Sequence, residues 1–263
     1  MAASAQSPPL IAVENLAVGF AGRVLERDVA FEIPAGVIFV VMGRSGCGKS
    51  TLLRHMTGLL RPPRGDVRYD GRPFWASDDA SRDRLRHRFG VVFQNGALWS
   101  SMTVAENVAL PLTEFTHARR AEIDAIVALK LALVGLNGAG SRYPNELSGG
   151  MRKRAGLARA MALDPDILFL DEPSAGLDPI SAKQLDDLIL QLRDSLGATI
   201  VVVTHELTSI LTIGDDSIFL DAEAQAAIAH GNPRQLLRDC ENPIVREFLT
   251  RDATREPVPA ARD

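Results

Sequence analysis

The apolar and polar positions of the chain follow two rhythms. From Leu10 the segments LIAVENLAV, VAFEI and VIFVVMG are rich in branched apolar residues and bounded by turn residues, which predicts β-strands. Past a Gly-rich stretch the period changes. Leu52, Leu53, Met56, Leu59 and Leu60 recur at three- and four-residue spacing, the mark of a helix with one buried face. RPPRGDVRYDG predicts a short strand among turns, a charged helix follows over about 78–88, and GVVFQ reads as another buried strand. From 103 to about 162 the strand signal vanishes. ENVALPL, ARRAEIDAIVALKLALVGL and MRKRAGLARAMAL all predict helices, the last beginning near Met151. Strands return as ILFLDEP and ATIVVVTHE, with ISAKQLDDLILQLRDSL as a helix between them, and IFLDAEAQAAIAHG predicts a closing strand pair.

Strands, a helical block, then strands again describe an α/β chain with a doubly wound core and a helical subdomain inserted between its halves. The expected boundaries are an N-terminal tail at 1–9, one domain at 10–250 and a C-terminal tail at 251–263. Within the domain the core occupies about 10–94 and 163–250, and the helical part about 95–162. The 263 residues fit that single domain, and 46% hydrophobic against 24% charged residues provide for a sizeable core.

Charge and cysteine content narrow the setting. A formal net charge of −4 argues against the basic field that non-specific nucleic-acid binding requires. MAASAQSPP has no basic and no apolar region of a secretory signal. The longest apolar runs, at 37–42 and 201–203, are strand-sized, far below the roughly 20 residues of a spanning helix. If the protein serves a membrane, another subunit crosses it. Cys47 and Cys240 suggest free thiols in a reducing compartment.

Five motifs carry chemistry. GRSGCGKST at 43–51 fits G-x-x-x-x-G-K-[ST] between a strand and a helix. Its Gly43, Gly46 and Gly48 let the backbone curl so that N–H groups converge on phosphate, with Arg44, Ser45, Cys47 and Thr51 completing the loop. Lys49 can bridge β- and γ-phosphates and the Ser50 hydroxyl can ligate Mg²⁺. ILFLDEP delivers Asp171 for the metal shell and Glu172 as general base, although an apolar run ending in two carboxylates is also an ordinary strand exit. His205 after TIVVVT is placed to reach a γ-phosphate, or is structural. Gln94 after GVVF is a neutral ligand for metal or water, or a plain surface residue. LSGGM contains Ser148, Gly149 and Gly150 at a helix start: a second phosphate cradle, or an N-capped helix. One nucleotide needs only one cradle from one chain, whereas two chains arranged head to tail use both.

In order, GRSGCGKST, VVFQ, LSGGM, ILFLDEPSAGLD and VVVTHE resemble the ABC ATPase family over about residues 10–240. The resemblance implies a P-loop NTPase core with an antiparallel β subdomain and an inserted helical subdomain. It implies ATP with Mg²⁺, bound through Ser50, Gln94 and Asp171, and catalysis by Glu172, His205 and Lys49. The signature becomes 148–150 and the D-loop 174–178. Phe20 is by position the aromatic that stacks on adenine, or else a core strand residue. Met151 stands where the family usually has Gln. Gly96, Ala97 and Leu98 after Gln94, the Met151 signature and the closing DPISA are similar to the Mla branch, which energises phospholipid trafficking across a Gram-negative envelope.

That likeness implies a second copy of the chain, an integral membrane permease, an Mce-type lipid-binding subunit and an accessory cytoplasmic subunit as partners, with no nucleic acid. It places the chain peripherally on the cytoplasmic face of the inner membrane. Another cargo, such as lipoprotein release or amino-acid uptake, and a non-transport switch remain alternatives. Trp99 and Met102 are candidates for lining a groove that receives a permease helix, or for packing inside the helical block. Arg82, Arg84, Arg86 and Arg88 form either a lipid-headgroup contact or a solvated helix face.

Overall fold

The computed structural model describes residues 9–94 and 96–250. Both expected tails lie outside the described residues, apart from Pro9 and the start of the domain that follows it. In chain order the elements are β1 (Ile11–Phe20), β2 (Arg23–Ile33), β3 (Ile38–Gly43), α1 (Lys49–Met56), β4 (Arg64–Tyr69), β5 (Arg72–Pro73), α2 (Asp79–Arg86) and β6 (Phe89–Val92). The helical stretch holds α3 (Val104–Phe115), α4 (Arg120–Leu133) and α5 (Gly149–Ala160). Then come β7 (Ile167–Asp171), α6 (Pro179–Leu196), β8 (Thr199–Val203), α7 (Leu207–Ile213), β9 (Asp216–Asp221), β10 (Ala226–His230), α8 (Pro233–Asp239) and α9 (Pro243–Thr250).

Two sheets result. An antiparallel sheet has the order β2-β1-β4-β5, and a larger one the order β10-β9-β3-β8-β7-β6. In the larger sheet the neighbours from β9 to β6 run parallel and β10 pairs antiparallel at the edge. Strands β3, β7 and β8 are buried at every residue, which is why their sequences are continuous apolar runs rather than alternating ones. Their side chains still divide by face. Phe39, Val41, Phe169, Val201 and Val203 pack towards α1 and the antiparallel sheet, against Leu52, Met56 and Tyr69. Val40, Met42, Leu168, Leu170, Ile200 and Val202 pack on the other side with Leu157, Leu185, Ile189 and Phe248.

Capping sets the helix starts. Thr103 and Glu106 form a reciprocal capping box on α3, and the Asp178 carboxylate accepts from the Ile180 and Ser181 N–H groups at the start of α6. Helix α5 begins at Gly149 rather than near Met151, because the Ser148 side chain takes the Met151 N–H at 3.2 Å. Helices α7, α8 and α9 carry no clear signal in the sequence. With seven or eight residues each, they are stable only through packing. The arginines of α2 are occupied locally: Arg82 with Asp79, Arg84 with Ser81 and Arg86 with Asp83. Arg88, just past the helix, pairs with Asp70 and Asp166. Arg84 and Arg86 are exposed, whereas the Arg82 and Arg88 side chains are largely covered. Among the described residues no helix is long and apolar enough to cross a membrane.

One buried charge stands out. Glu26 on β2 has no exposed surface, and neither carboxylate oxygen has a hydrogen-bond partner among the described residues. Burial away from water, with added repulsion from Asp221, pushes its pKa from the ordinary 4.5 to about 8. Between those values the folded chain keeps a proton that the unfolded chain has released. This share of stability is complete below pH 4.5 and is lost as pH rises through 8. Melting curves of Glu26→Gln and the unaltered chain should diverge in the variant's favour across that interval. A constant difference in Tm would show that Glu26 is already ionised in the fold.

Candidate functional site

Strand register brings the motifs together. Val41 of β3 and Asp171 of β7 are both paired with Val203 at the end of β8, so the loops leaving all three strands emerge side by side. The order of strands reverses beside β3, with β8, β7 and β6 on one side and the later β9 on the other. Parallel sheets bind ligands at such a crevice.

The loop after β3 is built around its glycines. Gly43 has φ 148°, and a Cβ there would stand 2.4 Å from the Leu220 carbonyl oxygen, so no side chain fits. Gly48, at φ 97°, is the N-cap of α1 and turns the chain into the helix. The Lys49 ammonium lies across the loop, donating to the Gly43 carbonyl at 2.8 Å and the Arg44 carbonyl at 3.0 Å. It is only 7% exposed. Arg44 reaches outward to Glu247 of α9 at 2.7 Å. Cys47 is buried, and that burial pushes its thiol up, so it serves as a small packing residue and stays protonated.

At the next strand end the Ser50 hydroxyl donates to Asp171 Oδ1 at 2.8 Å. Burial raises the Asp171 carboxyl above its usual range and the Ser50 hydrogen bond opposes that rise. Glu172 follows in a left-handed conformation, φ 49°, which costs a non-glycine residue about 1–3 kcal/mol and persists only where neighbours enforce it. The neighbours are visible. Its N–H donates to the Val203 carbonyl at 2.8 Å, and its carbonyl accepts from Lys153 Nζ at 3.0 Å. Its Oε1 meets His205 Nδ1 at 2.8 Å. Glu172 Oε2 is buried and has no partner among the described residues.

One cavity of about 880 Å³ collects Phe20, Lys49, Ser50, Gln94, Glu172 and His205, within the size range of small-molecule sites. Arg44, Ser45, Gly46, Gly48 and Thr51 also line it, while Gly43, Cys47 and Asp171 are buried and do not line it. Phe20 is 48% exposed at the end of β1, with its ring in the cavity wall and outside the core. Ser148, Gly149 and Gly150 do not line the cavity of their own chain. Gly149 and Gly150 instead pack near Leu177 and Ser181, where a Cβ on either would meet them at 3.4 Å.

Four lining or supporting residues escaped the sequence reading, Leu25 of β2 among them. Phe248 of α9 closes one wall; Val245, Phe248 and Leu249 are the buried stripe of that helix, which at eight residues is too short to show a period in the sequence. Arg23 lines the cavity beside Phe20. Lys153 joins the Gln94 and Glu172 carbonyls from α5, and nothing in its sequence spacing announced it. A second groove, of about 500 Å³, lies between the end of α2 and the helical block, lined by His87, Phe89, Pro111, Phe115 and Arg159. Trp99 and Met102 are not part of it. The Trp99 N–H and carbonyl are instead tied to the Asn107 side chain.

A phosphate-type loop, a hydroxyl–carboxylate pair and a His–Glu pair at adjoining strand ends define a P-loop NTPase. Comparison with known proteins sharpens this. The ABC transporter family profile matches residues 27–175. The chain is 40% identical over 240 residues to the intermembrane phospholipid transport system ATP-binding protein MlaF of Haemophilus influenzae, covering 91% of this chain and 90% of that one. It is 43% identical over 239 residues to the probable ribonucleotide transport ATP-binding protein mkl of Mycobacterium tuberculosis, covering 91% of this chain. It spans only 66% of that relative's length. The dimeric post-hydrolysis structure of the cassette MJ0796, bound to ADP and Pi, superposes with a TM-score of 0.75 at 28% identity, covering 84% of this chain and 97% of that one. The chain belongs to the ABC transporter family, as one of its ATP-binding cassettes.

Proposed function

We propose that this chain is the ATP-hydrolysing subunit of a transporter that moves phospholipid across a Gram-negative envelope, and that two copies close on two ATP molecules to drive a membrane permease. The observation that carries the ATPase reading is the convergence of Lys49, Ser50, Glu172 and His205 in one cavity, with Glu172 Oε2 buried and without a partner among the described residues. That oxygen is available to accept a hydrogen bond from an attacking water and take its proton, while Oε1 stays oriented by His205. Lys49 exchanges its loop carbonyls for β- and γ-phosphate oxygens, the loop N–H groups and the start of α1 face the phosphates, and Phe20 stacks on the base. His205 adds a hydrogen bond to the γ-phosphate.

Ser50 and Asp171 are hard oxygen donors already in contact, and Gln94 shares their cavity or its border. Among the described residues no three His, Cys, Asp or Glu side chains gather into a metal site, so Mg²⁺ here would draw its remaining ligands from phosphate and water. When bound, the ion neutralises phosphate charge. The dimer reading is supported by the Ser148 loop, a capped helix start with no nucleotide cavity of its own chain to serve, and by the dimeric MJ0796 cassette.

The groove at His87 and Phe115, the latter 60% exposed, fits a short apolar helix from the permease; its connection to the Gln94 loop through Arg159 links it to the nucleotide site. Phospholipid as cargo is supported by 40% identity across nearly the whole length of MlaF; the name of mkl supplies ribonucleotide as the competing cargo. On this reading the chain sits peripherally on the cytoplasmic face of the inner membrane, with an Mce-type subunit and an accessory cytoplasmic subunit as further partners.

Glu172→Gln should bind ATP normally and lose about 10²–10⁴ in turnover within the assembled transporter. Near-normal turnover would sink the general-base assignment. Lys49→Ala should weaken ATP binding itself, raising Kd at least about tenfold in a titration with the full chain; unchanged affinity would count against the phosphate-loop role. Purification of the tagged chain from its native membranes, with mass spectrometry of proteins and lipids, tests the larger reading. A multi-span permease, an Mce-type subunit and bound phospholipid are expected. A permease with a different binding partner overturns the cargo, and no membrane partner overturns transport.

A further inference from the structure

We infer that Lys153 is a positioning residue for ATP hydrolysis: from α5 its ammonium ties the backbone of Gln94 to the backbone of Glu172, so that the loop and the catalytic carboxylate move together. The inference rests on the ATPase reading above and assigns a role within it to a residue that does not line the cavity.

The segment after β6 lies along one face of α5. Lys153 donates to the Gln94 carbonyl. Three residues on, Gly156 lets the backbone approach: a Cβ there would stand 3.1 Å from the Gly96 carbonyl oxygen and 3.2 Å from its Cα. After three more, Arg159 donates to the Ala97 carbonyl at 2.7 Å and the Gly96 carbonyl at 3.0 Å. Positions 153, 156 and 159 share a helix face, so α5 holds the loop at both ends with a glycine between. The hydrogen bonds of the Arg159 side chain among the described residues go to that loop. Lys153 alone also reaches the sheet, donating to the Glu172 carbonyl at 3.0 Å.

An ammonium has three donors and no acceptor, and two of the three are engaged here. Lys153 is 8% exposed, so water cannot readily replace either carbonyl. Burial lowers its pKa while the Glu172 and Asp171 carboxylates hold it up. Glu172 needs such support. Its left-handed backbone is held at the N–H by Val203 and at the carbonyl by Lys153, and these two anchors aim the side chain at the cavity. Displacing the Gln94 carbonyl therefore pulls on the ammonium that holds Glu172. A loop at the border of the helical block thereby reaches the catalytic carboxylate in a single step.

The test is steady-state ATPase kinetics of the full-length chain carrying Lys153→Met or Lys153→Arg. The uncharged methionine, close in length, should lower kcat about ten- to a hundred-fold, as misplacement of a catalytic group does, with KM for ATP changed by less than about twofold. Arginine, which can still donate to two carbonyls, should recover most of the loss. Wild-type kcat in Lys153→Met overturns the inference. So does a loss that disappears once rates are divided by the number of sites titrated with a fluorescent ATP analogue, since that pattern belongs to a residue needed only for folding. If Lys153→Met does not fold, Lys153→Gln, a shorter neutral donor, is judged by the same criteria. Absence of turnover in the unaltered chain, alone and with its permease, would instead overturn the ATPase reading and this inference with it.

Discussion

The parallel hydrogen-bond register of β3, β8 and β7 is the constraint from which the site follows. With Val41, Val203 and Asp171 level across three strands, the phosphate-type loop, the Asp171–Glu172 corner and His205 have nowhere to emerge but beside one another. A slip of one residue in any of these strands would turn its side chains to the opposite face and separate Ser50 from Asp171. What prevents the slip is burial on both faces. Phe39, Phe169 and Val201 are committed to one layer and Val40, Leu168 and Val202 to the other, and exchanging the layers would leave large and small residues facing the wrong partners.

The polar groups at the strand ends are satisfied mostly by each other. Lys49 rests on its own loop's carbonyls, Ser50 on Asp171, His205 on Glu172, and Lys153 on two backbone oxygens. Such an arrangement is stable without ligand and costs little to rearrange, because each contact is exchanged for another of the same kind when phosphate arrives. The exception is Glu172 Oε2, buried and without a partner among the described residues, where the polar demand is left open at the atom proposed to act as base.

Much of this was legible in the sequence, for physical reasons. The three strand-end motifs could be read because a strand that is buried on both faces shows as an apolar run, and the residue types at its end are those that phosphate chemistry needs. The order strands, helices, strands was equally plain. Lys153 was not legible. Its partners are backbone carbonyls 59 and 19 residues away, and a carbonyl has no residue identity to read. Helix α9 was missed because eight residues give too short a period to separate from a loop, and Phe248 was missed with it. Trp99, 58% exposed, and the half-buried Met102 stand in a turn whose backbone carbonyls the Asn107 side chain holds, apart from the groove at His87 and Phe115.

Phe248 belongs to two structures at once. Its ring packs edge-on against Phe219 in the core, centroids 5.0 Å apart, and the same residue closes a wall of the cavity that holds Lys49. A helix of eight residues has no stability of its own, so that wall exists only while tertiary packing keeps α9 folded. On the proposed function, nucleotide binding and the folding of α9 are therefore thermodynamically linked. Whatever frays the helix, be it a clipped terminus or a bulky fusion placed after Thr250, is felt as weaker nucleotide retention. Bound nucleotide would in turn protect α9 from proteolysis.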